Sequence, residues 1–164
     1  EELLRKKNID PTIPDKYGWT PLLVAIGNKN ASIVHSLLEF NGKFVDVNQV
    51  EIVSHNELIF DEDNRSSIST EGANACGMTP LNLAVDIGDE EIFSMILARK
   101  DIDVNKRVAG GDTALSIAVK KRNLEFINDI ISTKKVDKNV VGDAIKDAEE
   151  LGLVEIANLL KNLD

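Results

Sequence analysis

Apolar residues in this chain fall into paired clusters separated by polar turns. Ile33-Val34 is followed by Leu37-Leu38, Ile92-Phe93 by Ile96-Leu97, and Phe126-Ile127 by Ile130-Ile131. A spacing of four puts each set on one face of a short helix. Upstream of each set lies a second pattern. Thr20-Pro21-Leu22 recurs as Thr79-Pro80-Leu81 and as Thr113-Ala114-Leu115. Gly18, Gly77 and Gly111 stand two residues before each Thr, and Ala25, Ala84 and Ala118 three residues after each Leu. These patterns predict pairs of short antiparallel helices. The Thr caps the first helix, and Pro at the first helical position gives up no bonded N–H. The alanine permits close packing one turn in, and the glycine suits a turn at positive φ.

Each unit closes similarly, with Asp46-Val47-Asn48, Asp103-Val104-Asn105 and a looser Asp137-Lys138-Asn139. Such recurrence marks a repeat architecture. The motifs resemble the ankyrin repeat family, whose pattern is D-x-x-G-x-T-P-L-x-x-A, a second helix, and G-A-D-V-N over about 33 residues. Leu81 and Leu115 are 34 residues apart. Ile145-Lys146-Asp147-Ala148 falls in phase and resembles a C-terminal capping repeat that starts early. Leu3-Leu4 match the tail of a second helix, with Asn8-Ile9-Asp10 as the following turn. The chain begins Glu1-Glu2 without Met and is read as an excised fragment.

The resemblance implies an all-α repeat solenoid of helix-turn-helix units joined by β-hairpin loops. The expected divisions are a partial N-terminal repeat (1–14), repeats over 15–48, 74–105 and 106–139, an insertion over 49–73, and a C-terminal capping repeat over 140–164. The family often carries His after Thr-Pro-Leu, where this chain has Leu23, Asn82, Ser116 and Lys146. The resemblance therefore implies that bracing between repeats leans more on apolar stacking here.

Leu22 and Leu81 are 59 residues apart, not 33. Three extra residues fall around 41–45 and another 23 between Asn48 and Gly77, so the extra material extends the finger linking two units. Residues 50–53 and 58–60 alternate enough to pair as strands. Residues 61–67 are polar and acidic and read as loop. Two readings stand for this insertion: a tolerated loop, or an acidic recognition element built on Glu57, Asp61, Glu62 and Asp63.

Charge sharpens that choice. The net charge is −9. Residues 1–48 hold six acids and six bases, whereas residues 49–75 hold six acids and only Arg65. An acidic chain without a basic stripe argues against nucleic acid and anionic lipid as partners. No apolar run approaches the roughly 18 residues of a membrane span. Aromatics are only 4%, so the core rests on Leu, Ile, Val and Ala. The single Cys76 excludes an internal disulfide framework and suits a reducing compartment.

Little in the chain points to catalysis. His35 has no nearby acid or thiol in sequence and reads as a surface residue. His55 with Glu57 matches no metal motif. Cys76 lacks a histidine partner and reads as a small turn residue. Residues 61–65 fail as a calcium loop, because position five is the basic Arg65 and the required glycine is absent. Asn30 and Asn64 head formal glycosylation triplets that carry little weight without secretion. Asn48 and Asn105 are expected to stabilise their own turns. No cofactor and no metal are expected.

The resemblance implies ligand contacts from the fingers and the inner helix face. By position these are Lys16, Tyr17, Trp19 and Asn28; Ala75, Cys76, Met78 and Asp86; Ala109, Asp112, Lys120 and Lys121. Tyr17 and Trp19 are the sole Tyr and Trp, and both types are favoured binding anchors. Each has a competing reading, in which it packs on a neighbouring repeat or on the insertion. The expected function is a non-enzymatic protein-interaction module. It would be monomeric and intracellular, in cytoplasm or nucleus, or in a host cytosol if the protein is a secreted effector. Its expected partner is a protein segment carrying basic residues. Two other readings are a recruiting or regulatory part of a larger enzyme or effector, and a structural spacer.

Overall fold

The computed structural model of the chain describes residues 10–15, 18–40, 45–50, 77–108 and 110–163. Among them are eight helices, which form four pairs: α1 (Pro21–Gly27) with α2 (Ala31–Leu38), α3 (Pro80–Ile87) with α4 (Glu90–Leu97), α5 (Ala114–Lys120) with α6 (Leu124–Ser132), and α7 (Lys138–Glu150) with α8 (Val154–Lys161). The first helices of the pairs stack in series, α1 on α3, α3 on α5 and α5 on α7. In the outer row α2 packs on α4, and the Phe93 ring of α4 stacks on Phe126 of α6 with centroids 4.1 Å apart. Such a contact contributes about 0.5–1.5 kcal/mol beyond the area it buries. The result is an all-α repeat solenoid.

Local chemistry explains why the helices start where they do. Thr20, Thr79 and Thr113 lie in extended backbone, and each hydroxyl accepts the N–H three residues on. Pro21 and Pro80 follow at the first helical position. Ser116 returns a bond to the Thr113 N–H at 2.8 Å, which completes a capping box. The second helices have caps of their own. Asn30, Asp89 and Asn123, each ten residues after the Thr, accept the N–H of Ile33, Ile92 and Phe126 at 3.0–3.1 Å. The residue before each cap is left-handed: Lys29 (φ 52°), Gly88 (φ 73°) and Arg122 (φ 57°).

The predicted roles of the small residues hold. Ala25, Ala84 and Ala118 are buried at the helix interfaces. Gly18, Gly77 and Gly111 have φ of 88–91°, which an L side chain rarely adopts. Most of the apolar stripe is buried too: Val34, Leu37, Ile92, Phe93, Ile96, Phe126, Ile127 and Ile130. Ile33 departs from it and stands exposed.

Three details differ from expectation. Asn48 and Asn105 do not close their own turns; the carboxylates of Asp46 and Asp103 do, accepting the Asn N–H at 2.8 and 3.0 Å. The Asn side chains cross to the next repeat. Asn48 donates to the Asp101 carbonyl at 2.7 Å and accepts from the Asp103 N–H at 2.7 Å. Asn105 repeats this with the Lys135 carbonyl and the Asp137 N–H, at 2.9 and 2.8 Å. Apolar stacking is therefore joined by a polar ladder. At the positions that lack the family His, Leu23 is buried in the core and Asn82 donates to the Lys106 carbonyl of the next finger at 3.5 Å.

The third closing motif differs as well. Asp137 sits just ahead of α7 without a side-chain cap bond, and Lys138 and Asn139 are already helical. The linking fingers contain no regular strand among the described residues. They are closed by turn hydrogen bonds, from Asp15 N–H to the Trp19 carbonyl at 2.9 Å and from Val108 N–H to the Asp112 carbonyl at 2.8 Å. The proposed strand pair of the insertion lies outside the described residues, apart from Val50.

Candidate functional site

Ion pairs tie the finger ahead of α5 and the ends of the inner helices to one another. Asp86 on α3 pairs with Lys121, the residue just past the end of α5, at 2.8 Å and ties one inner helix to the next. Asp112, in the finger ahead of α5, takes Lys120 from the far end of that helix at 2.5 Å. Lys120 also lies 3.9 Å from Asp147 on α7. Arg107 holds the finger from inside, donating to the Gly111 carbonyl at 2.8 Å, and pairs with Asp143 on α7 at 2.6 Å. These side chains remain one-quarter to one-half exposed, so solvent screens each pair and its contribution to stability is small. Their main effect is to hold long side chains in one arrangement.

Two acids one turn apart on α7 respond oppositely. The Arg107 hydrogen bond holds the Asp143 carboxyl below its ordinary value. Burial pushes Asp147 above its own, against the attraction of Lys120.

The first repeat presents different chemistry. The Trp19 side chain is half-buried against the core, and the Trp19 backbone N–H donates to the Asp15 carboxylate at 2.9 Å. It borders a groove of about 510 Å³, whose walls include Ile13, Pro14, Val24, Asn28 and Ile33. Asn28 is exposed and caps α1, its amide donating to the Val24 carbonyl at 2.9 Å. Met78 is half-buried against the core.

The structure thus groups Asp86, Asp112, Lys120 and Lys121 through ion pairs, with Asp147 as a neighbour. Trp19 and Asn28 belong to the N-terminal groove. Lys16, Tyr17, Ala75, Cys76 and Ala109 lie outside the described residues, as do Glu57, Asp61, Glu62 and Asp63. His35 is exposed on α2. Sequence reasoning missed Arg107, Asp143 and Asp147, whose pairing spans repeats and leaves no local pattern. It also missed Ile13, Val24 and Ile33 as exposed positions. Among the described residues no three His, Cys, Asp or Glu side chains are grouped to hold a metal, and no helix is long and apolar enough to cross a membrane.

Helix pairs stacked in series, with turned fingers and Thr-capped inner helices, define an ankyrin-type solenoid. A family model for ankyrin repeats in three copies matches residues 1–141, and the chain belongs to the ankyrin repeat family. Proteins of this family are generally protein-interaction modules. No curated protein matches the chain.

Proposed function

We propose that the chain is a non-enzymatic module that binds a protein segment along its fingers and inner helix ends. The observation that carries this reading is the shared geometry of the fingers. Those at 10–20 and 103–113 close with the same turn hydrogen bonds, and both lead into Thr-capped inner helices. Repeated fingers on cross-tied helices make a preformed surface, which lowers the ordering cost of association. Tyr17, Met78, Asp86, Asp112 and Lys120 are the contact residues of this reading. The acids of residues 49–75 favour a partner with basic residues, chiefly by steering its approach. An intracellular setting follows from the family.

The test is capture on the immobilised chain, identification of the retained protein, and calorimetry with variants. Tyr17→Ala combined with Met78→Ala is expected to weaken the complex about 30-fold, as loss of a hot-spot residue does. Neutralising Glu57, Asp61, Glu62 and Asp63 is expected to slow association and flatten its salt dependence. Capture of nothing beyond what a heat-denatured control retains would sink the proposal, as would equal affinity for every variant.

A further inference from the structure

Beyond the ion-paired ends of the inner helices, the loops that follow the outer helices carry a different kind of charge. Lys120, Lys121, Lys146 and Lys161 each lie within 3.7 Å of a carboxylate. Lys100, Lys134, Lys135 and Lys138 are exposed, and among the described residues they pair with none.

Hydrogen bonds gather these four into one patch. The Lys135 ammonium donates to the Lys100 carbonyl at 3.2 Å, which brings the loop after α6 to the loop after α4. Asn105 pins the same loop, donating to the Lys135 carbonyl at 2.9 Å and accepting the Asp137 N–H at 2.8 Å. Arg99 donates to the Leu38 carbonyl of α2 and to the Asp101 carboxylate, both at 3.2 Å, and so offsets the charge of Asp101. The acids left beside the lysines are Asp103 and Asp137, and Asp103 already accepts the Asn105 N–H at 3.0 Å. A chain of net charge −9 thus carries a local excess of positive charge on a tied backbone. Local structure does not ask for all of these cations. Lys138 opens α7, where the helix dipole disfavours positive charge, and the first turn of α7 holds no acid. Lys134 is left-handed at φ 56°, a conformation that suits Gly or Asn better.

The patch borders a groove of about 470 Å³ between the ends of α2 and α4. Leu38, Met95 and Ala98 give it apolar wall, Lys100 belongs to its rim, and His35 and Glu39 line its α2 side. A long polyanion such as nucleic acid or an anionic membrane meets the repulsion of the whole acidic chain. A short acidic segment feels mainly the charges within a Debye length, about 8 Å at physiological ionic strength. We propose that this edge docks a short acidic segment of a protein, with carboxylates on Lys100, Lys134, Lys135 and Lys138 and one apolar side chain in the groove beside Leu38 and Met95. The surface has the opposite charge preference to residues 49–75 and uses none of the contact residues of the finger reading.

The test titrates the 164-residue chain with two fluorescein-labelled peptides, an oligoglutamate and the same peptide with one central leucine, by fluorescence anisotropy. Both are expected to bind, the leucine peptide about ten-fold tighter, as burial of one apolar side chain allows. Lys134→Glu/Lys135→Glu is expected to weaken both about ten-fold, because like charges repel across an interface. Lys100→Glu/Lys138→Glu should do the same while leaving the Lys135 bond to the Lys100 carbonyl in place, so its loss reports charge and not an opened loop. Lys161→Glu, on α8, should change nothing. Circular dichroism checks that every variant keeps its helices. No binding of either peptide, equal binding of the two, or unchanged affinity in both charge-reversed pairs would overturn the proposal. So would single-stranded DNA or phosphatidylserine vesicles that bind as tightly as the leucine peptide, or a dimer in sedimentation velocity that charge reversal dissolves, because the occupant would then be a nucleic acid, a membrane or a second copy. The finger test varies Tyr17 and Met78 and none of these lysines, so the two proposals fail separately.

Discussion

At the N-terminal end of the stack, the register position of Ile33 faces an open groove; at the C-terminal end, the same position on α8 is Ile156 and is buried. The inner-helix position tells the same story with different chemistry. It is Val24 at one end, Leu83 and Ile117 in the middle, and Asp147 in the last pair. An acid at a stacking joint is desolvated, which is why its carboxyl is pushed up, and Lys120 from the preceding helix reaches toward it. The exposed residues of the last pair include Lys138, Asn139, Lys146, Glu149, Glu155 and Lys161, together with Leu151, Val154 and Leu163. Both ends of the array expose apolar side chains, but at different positions of the repeat: the stacking positions Val24 and Ile33 at the first, and the turn and terminal positions Leu151, Val154 and Leu163 at the last. The difference teaches that burial in a solenoid belongs to the joint rather than to the residue, since near-identical side chains at one position are core or surface according to what precedes them.

The largest effect should come from removing a side chain inside a joint. Ile92→Ala is expected to cost about 2–5 kcal/mol in urea denaturation. Ile33→Ala should cost only about 0.5 kcal/mol, as surface changes do. Equal losses at the two positions would break the contrast between the ends.

Next in size is the polar ladder. Asn105→Ala removes both bonds to the following repeat and should cost about 1–3 kcal/mol. Thr12→Ala, which breaks only bonds to Asp10, should fall well below it in the same titration. A Thr12 loss as large as that of Asn105 would mean that the bonds crossing to the next repeat add nothing beyond those within a turn.

The helix-to-helix turns offer a smaller and opposite effect. Arg122→Gly should raise stability by up to about 1 kcal/mol by relieving a left-handed L residue, and Gly88→Ala should lower it by a similar amount. Unchanged melting temperatures for both would show that these turns carry no strain.

The smallest effect concerns α7 and depends on pH. Asp147 binds its proton more readily when folded, so its contribution is full below its unfolded value and is lost as pH rises through the higher folded one. Asp147→Asn should therefore raise the melting temperature slightly at pH 7, and the gain should vanish in acid. Asp143 has the opposite sign. Its contribution is present above its unfolded value and is lost as pH falls through the lower folded one, so Asp143→Asn should lower stability at pH 7 and not in acid. A stabilising effect of Asp147→Asn that persists in acid would show that burial of the charge is not the cause.

Much of the fold was legible because caps and turns are local. A Thr before a Pro-Leu pair, a glycine two residues earlier and an alanine three residues later each act within one helical turn. The second set of caps, Asn30, Asp89 and Asn123, was equally local but stood apart from the Thr-Pro-Leu motif that drew notice. The roles within the Asp-Val-Asn turn were misassigned because Asp and Asn side chains can both cap a turn. Only the neighbouring repeat's free Asp101 carbonyl and Asp103 N–H decide that Asn48 crosses over. The candidate site was legible only as positions. Asp86 and Lys121 are 35 residues apart, Arg107 and Asp143 are 36, and no periodicity announces which charges will meet.

By itself, the sequence determined the helices, their caps, the finger glycines and the membership of the ankyrin repeat family, since all of these rest on short-range sterics and on recurrence. Tertiary structure alone decided which members of the repeated pattern are covered. Val24 and Leu83 carry nearly the same side chain at the same position, and only the presence of a packed neighbour makes one surface and the other core.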